Sequence, residues 1–234
     1  MKPFRTLAET TTAEGGHLKL HEHDGDFFIL LNGQQLMSSR ANASEIELAR
    51  VACRSLEGKP GPRILVGGLG MGFTLTAVLE LVGPDAMVET VELMPEVVAW
   101  NREYLRSLNG TALDDERVEI LVEDVFAVLH RAPANPYDVI IMDVDNGPVA
   151  FVLEKNRRLY HDRGVELMVN ALKPDGCLAV WSAEKDRPFA DRLYKAGLKV
   201  DVIGAKAHAN ARRDSHVIFV GCMRPQPKSD RVSR

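Results

Sequence analysis

Cysteine is scarce in this chain. Cys53, Cys177 and Cys222 are the only three, they lie far apart, and no C-x-x-C pair occurs. Neither a disulfide framework nor a zinc ribbon is indicated. Cys177 and Cys222 sit in apolar runs and are expected to be plain core residues. Basic excess is also lacking: the formal net charge is −4. This argues against nucleic acid as a partner and is compatible with a cationic substrate. No apolar run is long enough to cross a bilayer, and Met1-Lys-Pro-Phe-Arg-Thr6 has no apolar signal core. A cytoplasmic protein without a membrane partner is expected. Internal repeats, low-complexity blocks, a Ser-His-Asp arrangement and a G-x-x-x-x-G-K-[ST] loop are all missing.

What is present is glycine in one place. Arg63-Ile-Leu-Val-Gly67-Gly68-Leu-Gly70-Met-Gly72-Phe73 is an apolar run stopped by four glycines, followed by a helical pattern from Phe73 to Val82. A buried strand, a turn without side chains and a helix N-terminus follow from it. The free N–H groups there suit a polar, nucleotide-like ligand. Twenty residues past Gly72, the apolar strand 86–92 ends in Glu92, where a carboxylate can grip a ribose diol. The spacing Gly68-x-Gly70-x-Gly72 departs from G-x-G-x-x-G, with Phe73 at the last glycine's place. A mononucleoside fits this better than a dinucleotide.

The rest of the chain reads as an α/β protein. Residues 17–38 contain short strands around Asp24-Gly25 and Asn32-Gly33, both strong hairpin turns. A helix over 44–53 takes Ser44 as its cap. Strands at 86–92, 117–122, 137–142, 177–181, 198–204 and 215–221 alternate with helices at 95–107, 124–131, 162–172 and 187–196. This alternation predicts a doubly wound, Rossmann-like parallel sheet. The expected organisation is an N-terminal β-hairpin subdomain with its linking helix (1–58), a nucleoside-binding domain (59–222) and a disordered tail (223–234).

Ligands in such sheets bind beyond the carboxyl ends of the strands. Those ends carry Glu92, Glu123, Asp124, Asp143 and Asp145, plus Ser182-Ala-Glu184. Asp124 also reads as a helix cap. Trp181, ending a strand, and Tyr160, just after the acidic loop, are candidates to line an acceptor pocket, with simple packing as the alternative. Trp100 reads as core. His17, His21 and His23 read as an exposed strand, and no metal site is expected. The basic segment 206–213 is a solvated loop or a clamp over an anionic acceptor.

These residues resemble the spermidine synthase (polyamine aminopropyltransferase) family, which shares the class I S-adenosylmethionine methyltransferase fold. The resemblance rests on Gly67 to Gly72, Val91-Glu92-Leu93-Met94-Pro95, Asp115-Glu-Arg-Val118, Glu123-Asp124, Tyr137 to Asp143 and Leu172-Lys-Pro-Asp-Gly176. Val66 agrees, being aliphatic where many methyltransferases carry an acid. Asn32-Gly33-x-Gln35-Leu36 resembles the family's small β domain. The resemblance implies Gly68, Gly70, Gly72 and Glu92 at the nucleoside, with Glu92 on the ribose. It implies Glu123 and Asp124 at the adenine, flanked by Leu93 and Val125. Asp143 would be the general base; Gln35, Asp145, Tyr160 and Trp181 are this sequence's own candidates for the acceptor side. The donor would be S-adenosylmethionine or its decarboxylated form, the acceptor a small amine, and the assembly a homodimer. Departures fall at the donor's amino end and on the acceptor half. Gly70 replaces the loop's usual Asp. The loop after Asp143 is short. Val165 stands where a substrate-binding aromatic is usual, and Ala43-Ser44-Glu45 gives no clear Tyr-His-Glu. The resemblance therefore implies a transferase alkylating an amine. The alternatives are a small-molecule methyltransferase or an inactive nucleoside-binding protein.

Overall fold

A computed structural model of the chain describes residues 3–144 and 156–223. The first four strands, β1 (Arg5–Thr11), β2 (His17–His23), β3 (Asp26–Leu31) and β4 (Gln34–Ser38), form an antiparallel sheet in chain order. β2 alternates strictly at its start, so Leu18 and Leu20 turn inward. Both hairpin turns use positive φ, at Asp24 and Gly25 and again at Asn32 and Gly33. The sequence anticipates these hairpins but not β1, which extends the sheet from the N-terminal side.

The second sheet is the larger. Its strands are β5 (Arg63–Gly67), β6 (Met87–Glu92), β7 (Val118–Val122), β8 (Tyr137–Met142), β9 (Leu172–Ser182), β10 (Leu198–Ala205) and β11 (His216–Met223). Their order is β10-β11-β9-β8-β5-β6-β7, all pairs parallel except those of β11. The doubly wound expectation is met, with one antiparallel strand near an edge. β8 is buried along its whole length because helices cover both faces. Those helices are α1 (Ala43–Cys53), α2 (Phe73–Leu81), α3 (Pro95–Glu103), α4 (Arg106–Asn109), α5 (Val125–Arg131), α6 (Arg157–Tyr160), α7 (Asp162–Asn170) and α8 (Arg187–Lys195).

Several local expectations are corrected. Ser44 does not cap α1: the helix begins at Ala43 after Asn42, and the Ser44 hydroxyl donates to Glu45 instead, at 2.7 Å. The helix expected over 95–107 breaks at Tyr104, leaving α3 and the short α4. Lys173 to Gly176 lies inside β9 rather than ahead of it. Cys177 and Cys222 are not plain core thiols but a disulfide. The antiparallel pairing of β9 and β11 sets Cys222 opposite Cys177, a register that linear spacing does not reveal. The expected tail lies outside the described residues.

The small sheet closes over one end of the large one. Leu18, Leu20 and Ile29 pack with Met71, Val97, Trp100 and Leu105. Each such fully buried aliphatic side chain contributes about 1.5–3 kcal/mol, so the contact seats the β subdomain firmly on the glycine turn and α3.

At the opposite, amino end of β8, Asp138 is fully buried. It accepts from the Arg63 N–H at 2.8 Å and pairs with Lys173 at 2.7 Å and Lys59 at 2.6 Å. Burial pushes its carboxyl up, but the Arg63 N–H and the two lysines outweigh this and hold it below the usual range. Its contribution to stability is therefore present above the unfolded carboxylate value and lost as pH falls through the lower folded one. Asp138→Asn should cost about 2–3 kcal/mol at pH 7, less than a wholly buried pair because both lysines keep water. Urea unfolding at several pH values checks this. The gap between wild type and variant should close below about pH 4.

Candidate functional site

The glycine turn leaves β5 at its carboxyl end and enters α2. Gly68, Gly70 and Gly72 all have positive φ. At Gly68 a Cβ would collide with the carbonyl of Asp143, and the Asp143 N–H donates to the Gly67 carbonyl at 2.8 Å. The turn thus lies directly against the start of the loop after β8. At Gly70 a Cβ would sit 3.2 Å from the Met37 sulfur, so β4 roofs the turn. Asn101, wholly buried on α3, donates to the Gly70 carbonyl at 2.8 Å and accepts from the Asn109 amide at 2.8 Å. This pair pins the turn from below.

Glu92 ends β6 beside the turn. One carboxylate oxygen accepts from the Leu69 N–H at 3.2 Å and the other from the Met94 N–H at 3.0 Å. Burial raises its pKa, and the backbone donors of Met94 and Leu69 oppose that rise. Both oxygens are fixed in place and keep a further lone pair each, as a diol-gripping carboxylate requires. Glu92, Leu93 and Val125 line one cavity of about 460 Å³, large enough for a nucleoside with a second small molecule.

The remaining acids divide sharply. Glu123 is held by Arg131 through two contacts of 2.6 Å, which keep its carboxyl below the usual range. Asp124 caps α5 by accepting from Phe126 N–H at 2.9 Å, and its other oxygen pairs with Arg158. Both reach the cavity wall, but each already has a cationic partner. Asp143 accepts from the Thr74 hydroxyl at 2.6 Å. Burial raises its pKa to about 6, with Thr74 opposing.

Glu45 joins Asp143 in the cavity, carried there by α1. Burial first, and the Asp143 charge second, raise its pKa to about 7. Among the described residues neither carboxylate has a cationic partner. Sequence reasoning missed Glu45. Its only linear signal is its place as the third residue of Ala43-Ser44-Glu45, where the Tyr-His-Glu comparison failed on the first two.

Of the acceptor-side candidates, Gln35 and Trp181 line the cavity. The Trp181 ring packs on His216 at 4.9 Å, and burial lowers the His216 pKa. Tyr160 does not face the cavity: its hydroxyl donates to the Val144 carbonyl at 2.9 Å and its ring packs edge-on against Phe189. Val165 is buried in the core below. Asp145 lies outside the described residues.

Residues 53–192 match the family model described as the spermine/spermidine synthase domain. Polyamine aminopropyltransferase 2 of Pseudomonas aeruginosa is 37% identical over 140 residues, 56% of this chain and 37% of that protein. Polyamine aminopropyltransferase 2 of Streptomyces coelicolor is 33% identical over 162 residues, 68% of this chain and 28% of that protein. The matched stretches thus span well under half of these relatives. Among solved structures, spermidine synthase from Thermotoga maritima aligns with 96% of this chain and 74% of its own at TM-score 0.72 and 19% identity. A spermidine synthase in complex with the transition state analogue AdoDATO aligns over the same shares at TM-score 0.71 and 18% identity. These structures share the fold. The family model covers more than half of the chain and takes in the glycine turn, Glu92 and Asp143, so the chain belongs to the spermine/spermidine synthase domain family.

Proposed function

We propose that this protein transfers an aminopropyl group from decarboxylated S-adenosylmethionine to a small amine. One observation carries the reading. Asp143 and Glu45, without a cationic partner among the described residues, share a cavity with the backbone-fixed carboxylate of Glu92. A nucleoside grip beside unneutralised acids suits a nucleoside donor and a cationic acceptor. The relatives named polyamine aminopropyltransferase support it. In this reading Glu92 holds the ribose, and Leu93 and Val125 flank the base. Asp124 lies at the adenine edge, where its cap on Phe126 and its Arg158 pair orient it.

The donor supplies a carbon activated by a sulfonium. An amine with a pKa near ~10 is almost wholly protonated at neutral pH and has no free lone pair. Asp143 takes one proton from the ammonium. The nitrogen forms a bond to the carbon, the C–S bond breaks, and its electron pair goes to sulfur. Because sulfur leaves as a neutral thioether, no acid is needed, and alignment with one base suffices. A cytoplasmic homodimer, paired through the exposed hairpin edges, belongs to the same proposal. A second reading, methyl transfer from S-adenosylmethionine itself, is favoured by Gly70, which offers no carboxylate to a donor ammonium.

Two outcomes are expected. Glu92→Ala should weaken nucleoside binding at least about tenfold, since a charged hydrogen-bond pair contributes roughly 1.5–3 kcal/mol. Calorimetric titration with both forms of the donor checks this, and an unchanged dissociation constant in the folded variant would sink the ribose assignment. Asp143→Asn should leave donor binding nearly intact and slow transfer by about 10²–10⁴-fold. Wild-type transfer should rise as pH climbs through about 6, where Asp143 ionises. The variant's deficit should shrink towards the amine pKa, where the acceptor deprotonates unaided. Radiolabel transfer to a panel of amines across pH decides it. Equal rates would remove the base role, and methyl transfer without aminopropyl transfer would favour the second reading.

A further inference from the structure

Glu45 is the carboxylate in the cavity that the reaction above leaves without a task. It projects from the first turn of α1, and the N–H of Ala43 in that turn donates to the Ala207 carbonyl at 3.2 Å. The loop before β11 therefore fixes where α1 begins and where Glu45 points. Its carboxylate accepts from the Ser44 hydroxyl at 2.7 Å and from its own backbone N–H, local contacts that carry no positive charge.

The charges around it form a short inventory. The titratable groups lining the cavity are Glu45, Glu92, Glu123, Asp124, Asp143 and His216. Glu92 is satisfied by backbone N–H groups, Glu123 by Arg131 and Asp124 by Arg158. His216, facing the pair from β11, is held towards its neutral form by burial. Thr74, from α2, is neutral. Lys206 and His208 flank Ala207 but are exposed to solvent. Two carboxylates that line one buried cavity and feel each other's charge cannot both stay ionised cheaply, and among the described residues neither has a cationic partner, so the pair keeps one proton near neutral pH. Two acids without a cationic partner among the described residues, lining one cavity with the ribose-side carboxylate of Glu92, suit a cationic guest.

We propose that Glu45 is the second jaw of the acceptor site: with Asp143 it closes on the acceptor's ammonium group, and the proton the two carboxylates share is released as that ammonium binds. This rests on the transferase reading and deepens it. The ammonium brings the positive charge that no described residue gives the pair, so both carboxylates become ionised. Asp143 is then a free base facing the nitrogen, while Glu45 keeps the cation in register. Binding writes as RNH₃⁺ plus the monoprotonated pair giving the bound ammonium, two carboxylates and one proton to solvent. Acceptor affinity must then strengthen with pH until the pair is ionised without help, above about 7.

The test uses the full chain and 1,4-diaminobutane as the probe amine. Calorimetric titration at pH 6.5, with 5′-methylthioadenosine filling the nucleoside site, is run in two buffers of different ionisation heat. Wild type should release close to one proton per amine bound. Glu45→Gln should bind the amine at least about tenfold more weakly, as loss of a charged contact requires, and release far less. In steady-state transfer, Glu45→Gln should raise the amine KM by a similar factor with a much smaller drop in kcat, the reverse of Asp143→Asn. Glu45→Gln should also melt no lower than wild type at pH 8, because a carboxyl raised above its unfolded pKa costs stability as pH rises through its folded value. A purely structural Glu45 would instead give a less stable variant with an unchanged proton count. Equal amine affinity and proton release in the two proteins would overturn the proposal, as would a Glu45→Gln defect confined to the donor. Proton-linked amine binding without any transfer by wild type would sink the transferase reading while leaving the jaw standing.

Discussion

The site depends on one close approach of backbone to backbone. Gly68 lies so near the Asp143 carbonyl that no side chain fits between them, and the Asp143 N–H closes the contact on Gly67. That contact sets how the glycine turn beside Glu92 lies against Asp143. From it the other constraints follow. Gly70 must be small beneath Met37, Gly72 must be left-handed to start α2, and Asn101 must hold the Gly70 carbonyl from below. A side chain at Gly68 would push two strand ends apart and move Glu92 and Asp143 together.

Electrostatics then sorts residues that look equivalent in linear order. Five acids, Glu45, Glu92, Glu123, Asp124 and Asp143, reach one cavity. Three are satisfied before any ligand arrives, by backbone donors or by Arg131 and Arg158. Two have no cationic partner among the described residues, and burial makes that state costly. The protein tolerates this cost because its scaffold is over-determined elsewhere. Asp138 anchors the far end of β8 with two lysines, and the small sheet buries Leu20 and Ile29 against the turn. Stability invested at the amino end of the sheet offsets unneutralised charge at the carboxyl end.

Much of the scaffold was legible from local chemistry. Asp24-Gly25 and Asn32-Gly33 demand positive φ, Gly67 to Gly72 cannot be a regular element, and Tyr137 to Met142 is too apolar for anything but a central strand. Glu92 and Asp143 could be marked because strand ends in a parallel sheet share one rim. β1 was not marked, because its polar run has little inward pattern of its own and takes its place by pairing with β2.

The sequence by itself determined which backbone could form: its turns, its buried strands, the glycine approach and the two acids that end β6 and β8. These are local properties, set by sterics and by which side chains tolerate burial. Only the tertiary structure decided what depends on partners distant along the chain. It drew Arg131 and Arg158 onto Glu123 and Asp124, turned Tyr160 back towards Val144, set Cys222 opposite Cys177, and brought Glu45 from α1 to Asp143 after β8. The physical reason is the same in each case. The charge state and task of a polar group depend on what faces it across the fold, and neither spacing nor residue type encodes that neighbour.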